Sequence, residues 1–260
     1  MVVRQPYLLP SQQFSATKHC AFSRTNTKAL QSLLAHNCCN SMATSTRETF
    51  IDTMSPELRD SLSADQLKQL SQRPNDPEIL SIEYQLALNF SNEANFQAAE
   101  ELFRHNLAAK QNVLGATHVD TLATMHYLGI AQTELGHYAD GEKTYRELIP
   151  LYEKPAALLA ARSNLGWVLN KEGKYSEAEI VLRGLLPQLQ ERFAEDDPRV
   201  LGCLRHLMEV VGGQGRVDEA LEMNKKGMEL VTKITGEYQA DELKAMKEIG
   251  VQLEEWKNKG

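Results

Sequence analysis

Apolar residues recur along this chain with the spacing of one face of a helix, and a glycine interrupts them at regular intervals. Leu165, Val168 and Leu169 share one face. Gly173 then ends the run, and Tyr175, Ala178 and Leu182 start a second face. So short a turn forces the two predicted helices, A and B, to pack antiparallel. Two helices alone cannot bury both faces, so the unit must recur. The ladder of a leucine, a bulky residue ten places on and a small residue three further appears four times: Leu86, Phe96, Ala99; Leu128, Tyr138, Gly141; Leu165, Tyr175, Ala178; Leu207, Val217, Ala220. The offsets between successive leucines are 42, 37 and 42 residues.

Each place in the ladder has a mechanical reason. The leucine packs against helix B of its own repeat. The small residue after it (Ala87, Gly129 and Gly166, with Met208 in the last copy) lets neighbouring backbones approach closely. The residue eight after the leucine is Ala94, Gly136, Gly173 or Gly215, where a left-handed conformation ends helix A. The bulky residue fills the elbow, and the small one three later sits where the helices cross. A period of this length is the signature of a helical-repeat array. The prediction is an all-α fold, a right-handed α-solenoid of antiparallel helix pairs, with a disordered N-terminal tail.

The copies resemble tetratricopeptide repeats, and in particular the roughly 42-residue type found in kinesin light chains. In that type a Leu-Gly-x-x-His-Pro segment links one pair to the next. Here Leu114-Gly115-Ala116-Thr117-His118-Val119 stands in that place, with valine for proline. Phe193 to Pro198 fills the next equivalent link, and between copies two and three the link shrinks to Lys154-Pro155. Ala98 to Arg104 and Glu177 to Arg183 are close to the family's helix B. The resemblance covers about residues 76 to 233 and implies a scaffold that holds a protein or peptide partner. Family members that clasp the acidic tails of chaperones carry lysine, asparagine and arginine at set helix A positions. Those positions here hold Tyr84, Leu88, Tyr127 and Ala160, and only Asn164 fits. The heptads through which light chains join a motor heavy chain are not visible in residues 1 to 75.

The organisation reads as an acid-free basic leader over 1–47 and a short helical lead-in over 48–75. Four repeats follow over 76–236 (about 76–115, 118–154, 155–193 and 197–233), then a capping helix over 237–260. Asp76-Pro77 and Asp197-Pro198 mark helix starts with a cap and a first-turn proline. Ser55-Pro56-Glu57 does the same in the lead-in, where Ser61 to Asp65 threatens to break the helix in two. Pro150 and Pro187 fall at matching places near the ends of two B helices, where each bends or frays the last turns.

Charge and composition narrow the function. A net charge of -7 and a pI near 5.6 argue against a nucleic-acid binder. No apolar run is long enough to span a bilayer, so no membrane insertion is expected. The leader holds five basic side chains and no acidic one, leaving 23 basic and 35 acidic for the other 213 residues. It reads as a disordered tail or as sequence upstream of a start at Met42; the alternative is a mitochondrial transit peptide. The expected location is cytoplasmic, or mitochondrial on that alternative. Four scattered cysteines make no disulfide framework, and His36, Cys38 and Cys39 lack a second metal-binding pair. Gly212-Gly213-Gln214-Gly215 lacks the lysine of a phosphate loop and coincides with a repeat turn. No catalytic group, metal or cofactor is expected. Glu100-Glu101 reads as a solvated helix face.

The inner wall of such a stack is formed by helices A. The places one and two before each leucine, and two after it, should point inward. They supply the expected peptide-binding residues Tyr84, Gln85, His126, Tyr127, Asn164, Trp167, Arg205 and His206. Their aromatic rings either contact a partner or pack between repeats. The reading is a non-enzymatic adaptor that binds a peptide or protein. The alternatives are a small catalytic or ligand-binding protein using His126 and His206 as acid and base, or a self-associating structural element.

Overall fold

The computed structural model describes residues 50–72, 76–232 and 237–259, which form helices joined by short turns and contain no strand. The expected tail over 1–47 lies outside the described residues. Three short helices lead in: α1 (Phe50–Thr53), α2 (Pro56–Ser61) and α3 (Ala64–Gln72). The break expected near Leu62 is present. The helix pairs are α4 (Pro77–Asn92) with α5 (Phe96–Val113), α6 (Val119–Glu134) with α7 (Tyr138–Leu148), α8 (Pro155–Lys171) with α9 (Tyr175–Arg192), and α10 (Pro198–Gly213) with α11 (Val217–Val231). Helix α12 (Glu237–Lys259) packs on the last pair.

Local chemistry sets the helix ends. Asp76 accepts the Glu78 amide at 2.9 Å, Asp197 accepts that of Arg199 at 2.9 Å, and Ser55 accepts that of Leu58 at 3.2 Å, each ahead of a first-turn proline. All four A helices end alike. Ala94, Gly136, Gly173 and Gly215 have φ of 61°, 80°, 81° and 82°. The amide of the following residue reaches back to Phe90, Gln132, Leu169 or Val211, the six-to-one bond of a Schellman turn. Ala94 is the one non-glycine among the described residues with a positive φ.

The two prolines behave differently. α7 stops at Leu148, and Pro150 lies in a 3-10 turn (Ile149–Leu151) that leads into the shortened link. Pro187 stays inside α9, because buried Leu185 and Leu189 hold the helix to the core on both sides of the missing amide.

Each helix packs on the next, and successive A helices also touch one another: α4 with α6, α6 with α8, α8 with α10. Two close approaches bring helices A and B together within the second and third repeats. A Cβ on Gly129 would lie 2.7 Å from the Tyr145 ring, and one on Gly166 would lie 2.5 Å from Leu182. The result is a continuous core from Met54 to Leu253, capped by the lead-in at one end and α12 at the other. α6 is buried on every side from Thr121 to Thr133.

Candidate functional site

The slot two before each repeat leucine holds Tyr84, His126, Ser163 and Arg205, one per A helix. Each presents a buried polar atom without a hydrogen-bond partner: the Tyr84 hydroxyl, His126 Nδ1, Ser163 Oγ and Arg205 Nε. Arg205 Nε lies 3.6 Å from the Glu242 carboxylate of α12, beyond hydrogen-bond reach. The Thr121 hydroxyl and Asn164 Oδ1 on the same helices are likewise unpartnered. Such atoms are rare in folded proteins, because each leaves its desolvation uncompensated.

The second and third repeats are joined through this wall. Asn164 Nδ2 donates to His126 Nε2 at 3.0 Å and to the Tyr145 hydroxyl at 3.1 Å, and that hydroxyl donates to the His126 carbonyl at 3.1 Å. With Nε2 accepting, the ring proton sits on Nδ1. Burial lowers the His126 pKa to about 3, so the ring is neutral at physiological pH. The Tyr145 hydroxyl is pushed well above the usual phenol range by the same cause.

At the joint of repeats one and two, Tyr84, Phe103 and Tyr127 form an aromatic cluster with ring centroids 5.9 to 6.0 Å apart. Burial raises the Tyr127 pKa to about 12. Lys110 places its ammonium 4.3 Å from the Tyr84 ring centroid and donates to the Thr124 hydroxyl at 3.0 Å. Loss of water around it lowers its pKa to about 8.

The eight expected contact residues differ in exposure. His126, Tyr127, Asn164, Trp167 and His206 are buried, Arg205 is nearly so, and Tyr84 is half-buried. Only Gln85 of the eight is exposed. Asn164 of α8 and Tyr145 of α7 lie against His126, Tyr84 of α4 and Phe103 of α5 lie against Tyr127, and Glu242 of α12 lies beside Arg205. His126 and His206 are both sealed, and burial holds the His206 pKa well below the usual histidine range. Cys203 is also buried, with its thiol pushed up to about 12. No group of three or more potential metal ligands occurs among the described residues.

The opposite side of the stack holds what sequence reasoning missed. Glu100 is 2% exposed, not solvated. Glu101 accepts both the amide (2.7 Å) and the hydroxyl (2.5 Å) of Ser55, tying the lead-in to α5. Glu100, Glu142 and Glu179, each fourteen after its leucine, pair with Arg104, Arg146 and Arg183 four residues on. Each also reaches the residue before helix B of the next repeat: His137 at 3.4 Å, Lys174 at 2.7 Å and Arg216 at 2.7 Å. The Glu-x-x-x-Arg string was visible in three copies; its cross-repeat partner was not.

This ladder makes an acid-sensitive contribution. Hydrogen bonds from Lys174 to Glu142 and from Arg183 to Glu179 hold each carboxyl at a pKa of about 2, against 4.5 unperturbed. A depressed carboxylate stabilises the fold above its unfolded pKa, and that stability drains away as pH falls toward 2. Glu142→Gln should therefore flatten the fall of melting temperature between pH 4.5 and 2, relative to wild type. An unchanged slope in acid melts would show that the ladder does not supply this stability.

A stack of antiparallel helix pairs with a shared inner wall defines an α-solenoid of the tetratricopeptide kind. Residues 78–154, the first two copies, match the tetratricopeptide repeat family. Its fold is similar to the crystal structure of kinesin light chain nearly identical TPR-like repeats from Podosopora anserina, at 22% identity and a TM-score of 0.54, covering 65% of this chain and 82% of that one. A point-substituted form of the same repeats gives a TM-score of 0.56 with the same identity and coverage. No curated protein matches the chain. No helix among the described residues is long and apolar enough to cross a membrane.

Proposed function

We propose that this chain is a non-enzymatic scaffold that captures an extended segment of a protein partner along its A-helix wall. The supporting observation is the row of buried polar atoms at one slot of all four repeats, none of them hydrogen-bonded and only Arg205 Nε ion-paired. Main-chain amides offer donors and acceptors in alternation, and such a row suits them. Gln85, with half-buried Tyr84 and Leu88, is the accessible edge at which a segment first engages. Full engagement requires the A helices to part, since Ser163 and His126 are sealed.

The test uses a displayed random-peptide library panned on the full chain, followed by titration of the selected peptide. Ser163→Ala removes the orphan hydroxyl with little change in packing. It should weaken binding by about fivefold, as one buried hydrogen bond is worth about 1 kcal/mol, while leaving the melting temperature within about 2 °C. Affinity equal to wild type for Ser163→Ala and for Gln85→Arg would place the partner elsewhere.

A further inference from the structure

The slot twenty-four after each repeat leucine holds Lys110, Tyr152, Leu189 and Val231. Leu189 and Val231 are buried apolar side chains, and Tyr152 is half-buried. The first repeat alone puts a cation there, and Lys110 is 4% exposed. A buried ammonium is costly unless a carboxylate pairs with it. Among the described residues no carboxylate comes within ion-pair distance of Lys110 Nζ, and its one hydrogen bond is to the Thr124 hydroxyl at 3.0 Å. Two of the three ammonium protons are thus left without an acceptor. The Tyr84 ring, its centroid 4.3 Å away, offsets only part of that cost.

Hydroxyls around this cation lack partners as well. That of Tyr84, on the ring that covers the ammonium, is buried and unpartnered. Thr121 lies one turn before Thr124 on α6, and its hydroxyl is also buried and unpartnered. Two carboxylates, Asp120 and Glu83, act on Lys110 only through space. Glu83 is engaged by the Asn106 amide at 3.0 Å and by His105 at 2.5 Å. The Asp120 side chain is 62% exposed, where water screens it.

We infer that the joint of repeats one and two is a carboxylate-binding site, in which Lys110 pairs with the incoming group and the Tyr84 hydroxyl donates to it. One cation in a water-poor site balances one negative charge. A carboxylate matches it, whereas a phosphate dianion would leave a second charge buried and unpaired. This is not the chaperone-tail clamp, because the cation comes from helix B and from a slot that the other repeats fill with apolar or aromatic side chains. Half-buried Tyr84 covers the ammonium, so the site lies one side chain below the surface. It needs no partner segment along the A-helix wall, since a free acid and an acidic side chain of a peptide bring the same group.

Thermal melts of the full chain at neutral pH test this, in acetate against chloride at equal ionic strength. Acetate at several times its Kd should raise the melting temperature by about 3 °C. Lys110→Leu gives the slot the residue of repeat three. It should abolish the acetate shift and melt at or above wild type in chloride, since no unpaired charge is then buried. Tyr84→Phe keeps the ring over the ammonium, removes the hydroxyl and should lose about half of the shift. A capped tripeptide with a central glutamate, run beside its glutamine form, separates the sources. A shift with the glutamate peptide alone assigns the site to a peptide side chain, and one with acetate alone assigns it to a small free acid. No shift with either, or a shift retained in full by Lys110→Leu, overturns the inference. Should Lys110→Leu fail to fold, a full-sized shift in Tyr84→Phe overturns it instead.

Discussion

Gly129→Ala is expected to destabilise the protein by about 2 kcal/mol through overpacking. The added methyl would lie 2.7 Å from Tyr145 Cε2 and 2.8 Å from Cζ. That ring cannot yield. It is fully buried, and its hydroxyl is anchored to the His126 carbonyl and the Asn164 amide. Shifting it would break the bridge between repeats two and three as well as the packing. Gly184→Ala supplies the control: Gly184 lies inside α9 with nothing within 4 Å of its would-be Cβ. There alanine's better helix propensity should stabilise by about 1 kcal/mol. Denaturant midpoints with matched slopes check both. A Gly129→Ala protein as stable as wild type would mean that α6 and α7 do not approach as described.

Leu182→Ala should cost about 4 kcal/mol, near the upper end for a buried leucine. Leu182 has no exposed surface and lies against Gly166, filling the notch where α9 crosses α8. Collapse around the cavity is limited because the notch is walled by backbone. Ile180→Ala, two residues away on the same helix, should change stability by less than about 0.5 kcal/mol, since Ile180 is 74% exposed. Loss of so much packing at one joint should also split the unfolding transition, because repeats interact chiefly with their neighbours. Calorimetry would show this as two overlapping peaks in place of one. Equal costs at the two positions would show that α9 is rotated about its axis.

The contrast between Leu182 and Ile180 was legible in the sequence, because the ladder of Leu165, Tyr175 and Ala178 sets which face of helix B is apolar. That Tyr84, His126, Ser163 and Arg205 occupy one slot of the four A helices was legible for the same reason. Their exposure was not. Whether an inward side chain meets a partner or another helix depends on the distance between A helices. That distance shows in contacts such as Asn164 on His126, 38 positions apart and on different A helices. Glu100 shows the same limit. In sequence it is one of two adjacent glutamates on a polar stretch, and only the arrival of His137 and Arg104 reveals a buried, partnered carboxylate.

By itself the sequence determined the repeat, the turns and the helix ends, because caps, glycine conformation and helical spacing act within a few residues. The tertiary structure alone decided which inward groups are sealed, which acidic groups are buried and how each repeat is tied to the next. Those outcomes rest on residues about 20 to 40 positions apart, and their identities bear on one another only once packing has brought them within a few ångströms.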